Sequence, residues 1–198
     1  MAEFLFQGHG SLRFITENRT VIYVDPYVGS GYDIPADIIL VTHQHSDHNR
    51  VDLVTKKPGC IIITQSDALK DENYQKFHIQ DVEIESVPAY NQNHKKSESV
   101  GYILKFDGIS FYASGDTSLT DYMQEVIPNL HLDYTVLPID GIYNMNPDEA
   151  TYCANIMKVK HVIPVHMKPG ELFSMECANK FKATNRLIVE AGESIVLE

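Results

Sequence analysis

Residues Ile38-Ile39-Leu40-Val41 form an unbroken apolar run that passes directly into Thr42-His43-Gln44-His45-Ser46-Asp47-His48. A short run of β-branched and aliphatic residues predicts a buried strand. A buried strand ends where the chain reaches the rim of a sheet, so three histidines and an aspartate are delivered to a loop on a rigid edge. His43 and His45, two apart, can converge on one cation from an extended turn, while Asp47 and His48 reach a second position beside it. Imidazole and carboxylate suit zinc, and a carboxylate widens the choice to manganese and iron. Solvated loop residues have no reason to cluster in this way, and the spacing favours a metal site.

Composition narrows the surroundings of that site. The 198 residues carry 27 acids against 16 bases, a formal charge of −11, which argues against a nucleic-acid or anionic-membrane surface. Lys95-Lys96 is a local basic spot only. The N-terminus has no basic segment followed by an apolar stretch, so no signal peptide is expected and the expected location is cytoplasmic. No apolar run approaches the roughly 20 residues that span a bilayer, so no stable membrane insertion is expected. Cys60, Cys153 and Cys177 are odd in number and widely spaced, as reduced, buried thiols would be.

Short strand-like runs dominate the first two thirds: Phe4–Gln7, Leu12–Thr16, Val21–Val24, Ile38–Val41, Ile61–Thr64, Val82–Val87, Val100–Phe106 and Ile109–Ala113. Asp107-Gly108 predicts a tight hairpin turn. Later strands are expected at Tyr134–Leu137, His161–Val165, Arg186–Val189 and Ile195–Leu197. The clearest helix starts at Asn146-Pro147, with a capping Asn, Pro at the first position and Asp148-Glu149 in the first turn. Its buried face is expected to be Ala150, Cys153, Ala154 and Met157, and shorter helices are expected at Ser66–Tyr74, Leu119–Ile127 and Met175–Phe181. With no repeat and no linker, residues 1–198 are expected to form a single domain of layered sheets with helices outside.

The His-x-His-x-Asp-His run resembles the signature of the metallo-β-lactamase superfamily, a four-layer αββα sandwich of two mixed β-sheets flanked by helices. Three further segments match that pattern in order. Pro88-Ala89-Tyr90-Asn91-Gln92-Asn93-His94 follows one strand, Ser114-Gly115-Asp116-Thr117 follows the hairpin, and His166 follows the strand from His161. The resemblance implies that His43, His45 and His94 hold one divalent metal ion, that Asp47, His48 and His166 hold a second, and that Asp116 bridges them. It implies a hydrolase of the small stand-alone group resembling ascorbate-6-phosphate lactonase. A hydroxide held by the dinuclear site would cleave an ester, lactone or phosphoester of a small molecule, with Asp47 and Asp116 as catalytic carboxylates. Zinc is favoured, with manganese or iron as alternatives. No Gly-x-Ser-x-Gly run competes as a nucleophile.

Asp25 resembles the strand-end aspartate that supports the ligand loop, and His9 in Gly8-His9-Gly10-Ser11 resembles the Gly-His-Ala-Ser opening of a subgroup of small metal-dependent hydrolases. Asp140 departs from the subgroup, which usually has Gly there; it and Lys168 are candidate substrate contacts. His78, His131 and His161 have no motif context. Two other readings stay open: a di-iron redox protein, and a non-catalytic metal-binding module of the same fold. The oligomeric state, homo-oligomer included, is left open.

Overall fold

The computed structural model describes residues 1–198 and builds the chain around two six-stranded sheets. The first comprises β1 (Glu3–Gly8), β2 (Ser11–Ile15), β3 (Val21–Val24), β4 (Ala36–Leu40), β5 (Lys56–Ile63) and β14 (Ser194–Val196), in the order β14-β1-β2-β3-β4-β5. The second comprises β8 (Lys76–Ile79), β9 (Val82–Pro88), β10 (Val100–Phe106), β11 (Ile109–Ala113), β12 (Tyr134–Pro138) and β13 (His161–Val165), in the order β13-β12-β11-β10-β9-β8. Both sheets are mixed. In the first, β3, β4 and β5 are parallel; in the second, β11, β12 and β13 are parallel; the remaining pairings are antiparallel.

The pairing has a direct consequence for where chemistry can be placed. Because β2 runs against both β1 and β3, the strands β1, β3 and β4 all point one way; by the same reasoning β9, β11, β12 and β13 share a direction. Every loop flagged by the sequence follows the C-terminal end of one of these strands. Carboxyl ends of strands in α/β sheets are where ligand crevices form.

Apolar residues alternate between the two faces of each strand. In β4, Ile38 and Leu40 enter the core between the sheets with Phe4, Phe6, Phe14 and Phe111. Ile39 and Ala36 face the other way with Tyr23 and Val54. That outer face is covered by irregular chain, including Tyr32, Ile34 and Val51, and not by a helix. Beneath the second sheet, α3 (Pro147–Met157) buries Ala150, Cys153, Ala154 and Met157, the face expected from its spacing. The Asn146 side chain caps it by accepting from the N–H groups of Asp148 and Glu149. The arrangement is an α/β sandwich of mixed sheets with few helices, and no helix is long and apolar enough to cross a membrane.

Several local expectations are corrected. The helix expected over 66–74 stops after α1 (Gln65–Ala68), and a small hairpin of β6 (Leu69–Lys70) and β7 (Asn73–Tyr74) follows. Asp71 and Glu72 both adopt positive φ (49° and 64°), the conformation of a type I′ turn, which no helix can contain. The helix expected over 119–127 is split into α2 (Asp121–Glu125) and a 3₁₀ turn at Ile127–Asn129, where Pro128 cannot continue the α-helical bonding. Only α4 (Met175–Ala178) forms in the segment to Phe181. Residues 186–189 make a single bridge to β13 and no strand, whereas β8, not foreseen, pairs with β9 through Lys76 opposite Glu85.

Candidate metal centre

Seven side chains from four strand ends, those of β4, β9, β11 and β13, meet at one rim of the two sheets. His43, His45 and His94 form one group, with ring centroids 4.6, 4.8 and 4.9 Å apart. His48, His166 and Asp47 form a second, joined by His9. Asp116 stands between the groups: one carboxylate oxygen lies 3.4 Å from His48 Nε2, and the other lies 3.3 Å from His94 Nε2 and 3.4 Å from His166 Nε2. Donor atoms bound at about 2.1 Å in a tetrahedral sphere are about 3.4 Å apart, so these separations have the dimensions of a coordination shell.

The outer hydrogen bonds decide which nitrogen each imidazole presents. Asp25 accepts from the Thr42 N–H (2.7 Å) and the Thr42 hydroxyl (2.6 Å), so that hydroxyl is left to accept from His43 Nδ1 at 2.9 Å. Asp25 also accepts from His48 Nδ1 at 2.8 Å. Asn91 Oδ1 accepts from His94 Nδ1 at 2.9 Å. Each partner takes the Nδ1 proton and leaves an Nε2 lone pair facing inward, as metal ligation requires. His43 Nε2, His48 Nε2 and His166 Nε2 are buried without any hydrogen-bond partner. Leaving a buried polar atom unpaired costs about 1–3 kcal/mol, so three such atoms aimed at one region fit a cation there.

Backbone conformation supports the same picture. Asp25 (φ 48°), His9 (φ 56°) and His166 (φ 43°) all adopt the left-handed region, where non-glycine residues cluster at functional sites. Gly115 (φ 63°) is required beside Asp116: a Cβ there would lie 3.0 Å from both Thr42 Cβ and the Val100 carbonyl, which presses the Asp116 loop onto the His43 loop. His9 links the two sheets: its ring packs 3.8 Å from that of His166, its Nε2 lies 3.1 Å from Asp47, and its carbonyl accepts from the His166 N–H.

Charge follows burial and neighbours. Burial and the adjacent histidines push His43 down to about 2, which keeps it neutral. Burial also opposes charge on His166, yet Asp116, Asp140 and Asp47 together lift it to about 10. Burial would raise Asp116, but His48, His166 and His94 hold it well below the ordinary carboxylate range. Asp47 is likewise held low, by His166 and His9 against burial.

The two candidate substrate contacts are not where the sequence suggested. Lys168 is exposed and paired with Glu171, away from the cleft. The Asp140 carboxylate has no exposed surface and lies behind His166, 2.9 Å from its Nδ1 but without the alignment of a hydrogen bond. It accepts instead from the N–H groups of Ile142, Tyr143 and Asn144 and from Asn144 Nδ2. Burial would raise its pKa, but the contact with His166 and these donors bring it down to about 2. A carboxylate depressed in the folded state contributes stability above its ordinary value, 3.8, that is lost as pH falls through about 2. Urea titrations of metal-free protein are therefore expected to show an acid limb between pH 4 and 2 that is shallower in Asp140→Asn by about 2 kcal/mol. Superimposable limbs would remove Asp140 from this role.

Sequence reasoning missed Asn91 and Thr42. Asn91 sits three residues before His94, and its side chain also accepts from the N–H of Asn93 and of His94, a local turn that was a readable signal. An open cleft of about 470 Å³ leads to the centre, lined by Asp47, His45, His94, Asp116 and His166 together with Tyr27 and Tyr143.

Comparison with known proteins agrees with this geometry. A family model described as β-lactamase superfamily domain matches residues 3–166. A protein of Pyrococcus furiosus described as a metal-dependent hydrolase is 31% identical over the whole of both chains. A crystal structure from Parabacteroides distasonis, also described as a metal-dependent hydrolase, is 29% identical with a TM-score of 0.76, covering 94% of this chain and 91% of that one. A metallo hydrolase of Ignicoccus hospitalis has the same fold, with a TM-score of 0.77 at 20% identity over 100% of this chain and 98% of that one. With a family model matching most of its length and a relative 31% identical over the whole of both chains, the chain belongs to the β-lactamase superfamily.

Proposed function

We propose that residues 1–198 act as one metal-dependent hydrolase domain. His43, His45 and His94 hold one divalent cation, Asp47, His48 and His166 hold a second, and Asp116 serves both. The observation that carries this reading is Asp116, whose two oxygens lie within 3.4 Å of imidazole nitrogens from both groups. Zinc fits the histidine-rich donor set first, with manganese or iron as alternatives. Such a pair of cations, when bound, lowers the pKa of a coordinated water toward about 7 and polarises the oxygen of an ester, lactone or phosphoester.

The chain's own groups do the rest. Asp47 is one-third exposed on the cleft side and held ionised by His9 and His166, so its carboxylate can accept a proton from water and return it to a leaving group. Asp25, Thr42 and Asn91 keep the ligand imidazoles in the tautomer that faces inward.

Metal analysis by mass spectrometry is expected to find two divalent cations per chain. A screen of phosphodiesters, lactones and esters with loaded protein is expected to show hydrolysis that falls at least about tenfold in His45→Ala. Full loading with no turnover of any of the three classes would favour the non-catalytic module.

A further inference from the structure

The loop from Gly141 to Asn144 is fastened to the metal centre more firmly than a surface loop requires. Three consecutive N–H groups converge on the buried Asp140 carboxylate, and the Tyr143 carbonyl accepts from both Asn91 Nδ2 (2.9 Å) and Asn93 Nδ2 (3.0 Å). Asp140 touches His166, and Asn91 holds His94, so the loop is fixed to the frame of two candidate ligands. From this pinned backbone the Tyr143 side chain stands 51% exposed at the cleft, with no hydrogen bond from its hydroxyl to explain its position. Tyr27 lines the same cleft, with its ring tilted against His9 at a centroid distance of 5.4 Å.

The same cleft contains no lysine or arginine among its ten lining residues. Of the cations adjacent in sequence, Arg50 pairs with Asp52, Lys95 with Glu98 and Lys168 with Glu171, while Lys96 stands over the Tyr90 ring, outside the ten lining residues. Away from the metal positions, therefore, this cleft offers a phosphate or carboxylate no cationic side chain, whereas Tyr27 and Tyr143 line it.

Resting on the hydrolase reading above, we infer that the substrate is a carboxylic ester or lactone whose non-reacting part is uncharged and apolar or aromatic, received by Tyr27 and Tyr143. Aromatic side chains bind flat apolar groups through both buried area and ring geometry. In the test reaction, the oxygen of water bonds to the acyl carbon of phenyl acetate, the acyl–oxygen bond breaks, and the phenolate leaves and takes up one proton of that water, giving phenol, acetate and one proton released to solvent.

Metal-loaded protein is assayed with phenyl acetate and with 4-acetoxybenzoate, which differs by one remote carboxylate, each rate being normalised to alkaline hydrolysis. The expected kcat/KM is at least about tenfold higher for phenyl acetate, and Tyr143→Ala raises its KM about tenfold with a smaller change in kcat. Tyr152→Ala, exposed on α3, leaves both unchanged. In parallel, phenylacetone, the carbon analogue that cannot be hydrolysed, is titrated onto metal-free protein by NMR and is expected to bind about tenfold more weakly to Tyr143→Ala. Preference for 4-acetoxybenzoate, or phenylacetone binding that ignores Tyr143, would overturn the inference. Phenylacetone binding that depends on Tyr143 without turnover of either ester would support the aromatic mouth and overturn the hydrolase reading instead.

Discussion

Replacing Asp116 with alanine is expected to lower hydrolysis by about a thousandfold or more and to release at least one metal ion per chain. The reason is position. Asp116 is buried and is the carboxylate nearest the Nε2 atoms of His48, His94 and His166, so on the proposed reading its loss removes a ligand from each side and leaves those Nε2 atoms without their nearest carboxylate. Removal of a group on which several others act is not additive with theirs, so the loss approaches that of the whole centre. Asp116→Asn separates ligation from packing: it keeps the shape but not the charge, and it should fall almost as far. Rates from stopped assays and metal content from mass spectrometry check both variants. An Asp116→Asn protein with full metal content and near-normal rates would show that the carboxylate is structural.

Metal removal carries the second large effect, and it is read in stability and protons as well as rate. A ligand present at a thousand times its dissociation constant stabilises the fold by about 4 kcal/mol. For a chain of this length that corresponds to a melting temperature about 8–16 °C higher than in metal-free protein. The pH dependence has a defined sign. In the metal-free fold His166 is raised from 6.5 to about 10, so its ion pairing stabilises fully below pH 6.5 and is lost as pH rises through about 10. The metal-loaded chain cannot show that loss, because ligation requires an unprotonated nitrogen. The gap in melting temperature should therefore widen between pH 7 and 10, and loading at pH 7 should release protons. Calorimetry in buffers of different ionisation enthalpy measures that release, and its absence would remove His166 from the ligand set.

Much of the centre was legible because its residues are closely spaced or punctuate strands. His43, His45, Asp47 and His48 follow one apolar run, and Asp116 and His166 each follow another; local chain geometry alone places such residues at a sheet edge. Helix α3 was legible for the same kind of reason, since its proline and its buried face lie within the eleven residues Pro147–Met157 and its cap is the residue just before them. The failures were of a different sort. The segment 66–74 has helix-compatible residues, but Asp71-Glu72 take a turn conformation stabilised by pairing of Leu69–Lys70 with Asn73–Tyr74. Residues 186–189 are apolar enough for a strand, yet β13 is bridged there at one point only. In both cases the decision came from contacts made after the local segment had formed.

Asp140 and Lys168 show where local reading stops. Nothing in Ile139-Asp140-Gly141 tells whether the carboxylate faces a cleft or the back of an imidazole; only the approach of β12 to β13 places it behind His166. Likewise Tyr27 and Tyr143 lie far apart in the chain and become walls of one cleft only when the two sheets close on each other. The histidine- and aspartate-bearing loops, the strands that precede them and the α3 cap follow from short-range rules of residue type and spacing. The outer hydrogen-bond partners of each candidate ligand and the make-up of the cleft, with two tyrosines and no lysine or arginine in its lining, depend on long-range packing, because a side chain's neighbours across the two sheets are set by register and burial and not by its neighbours in sequence.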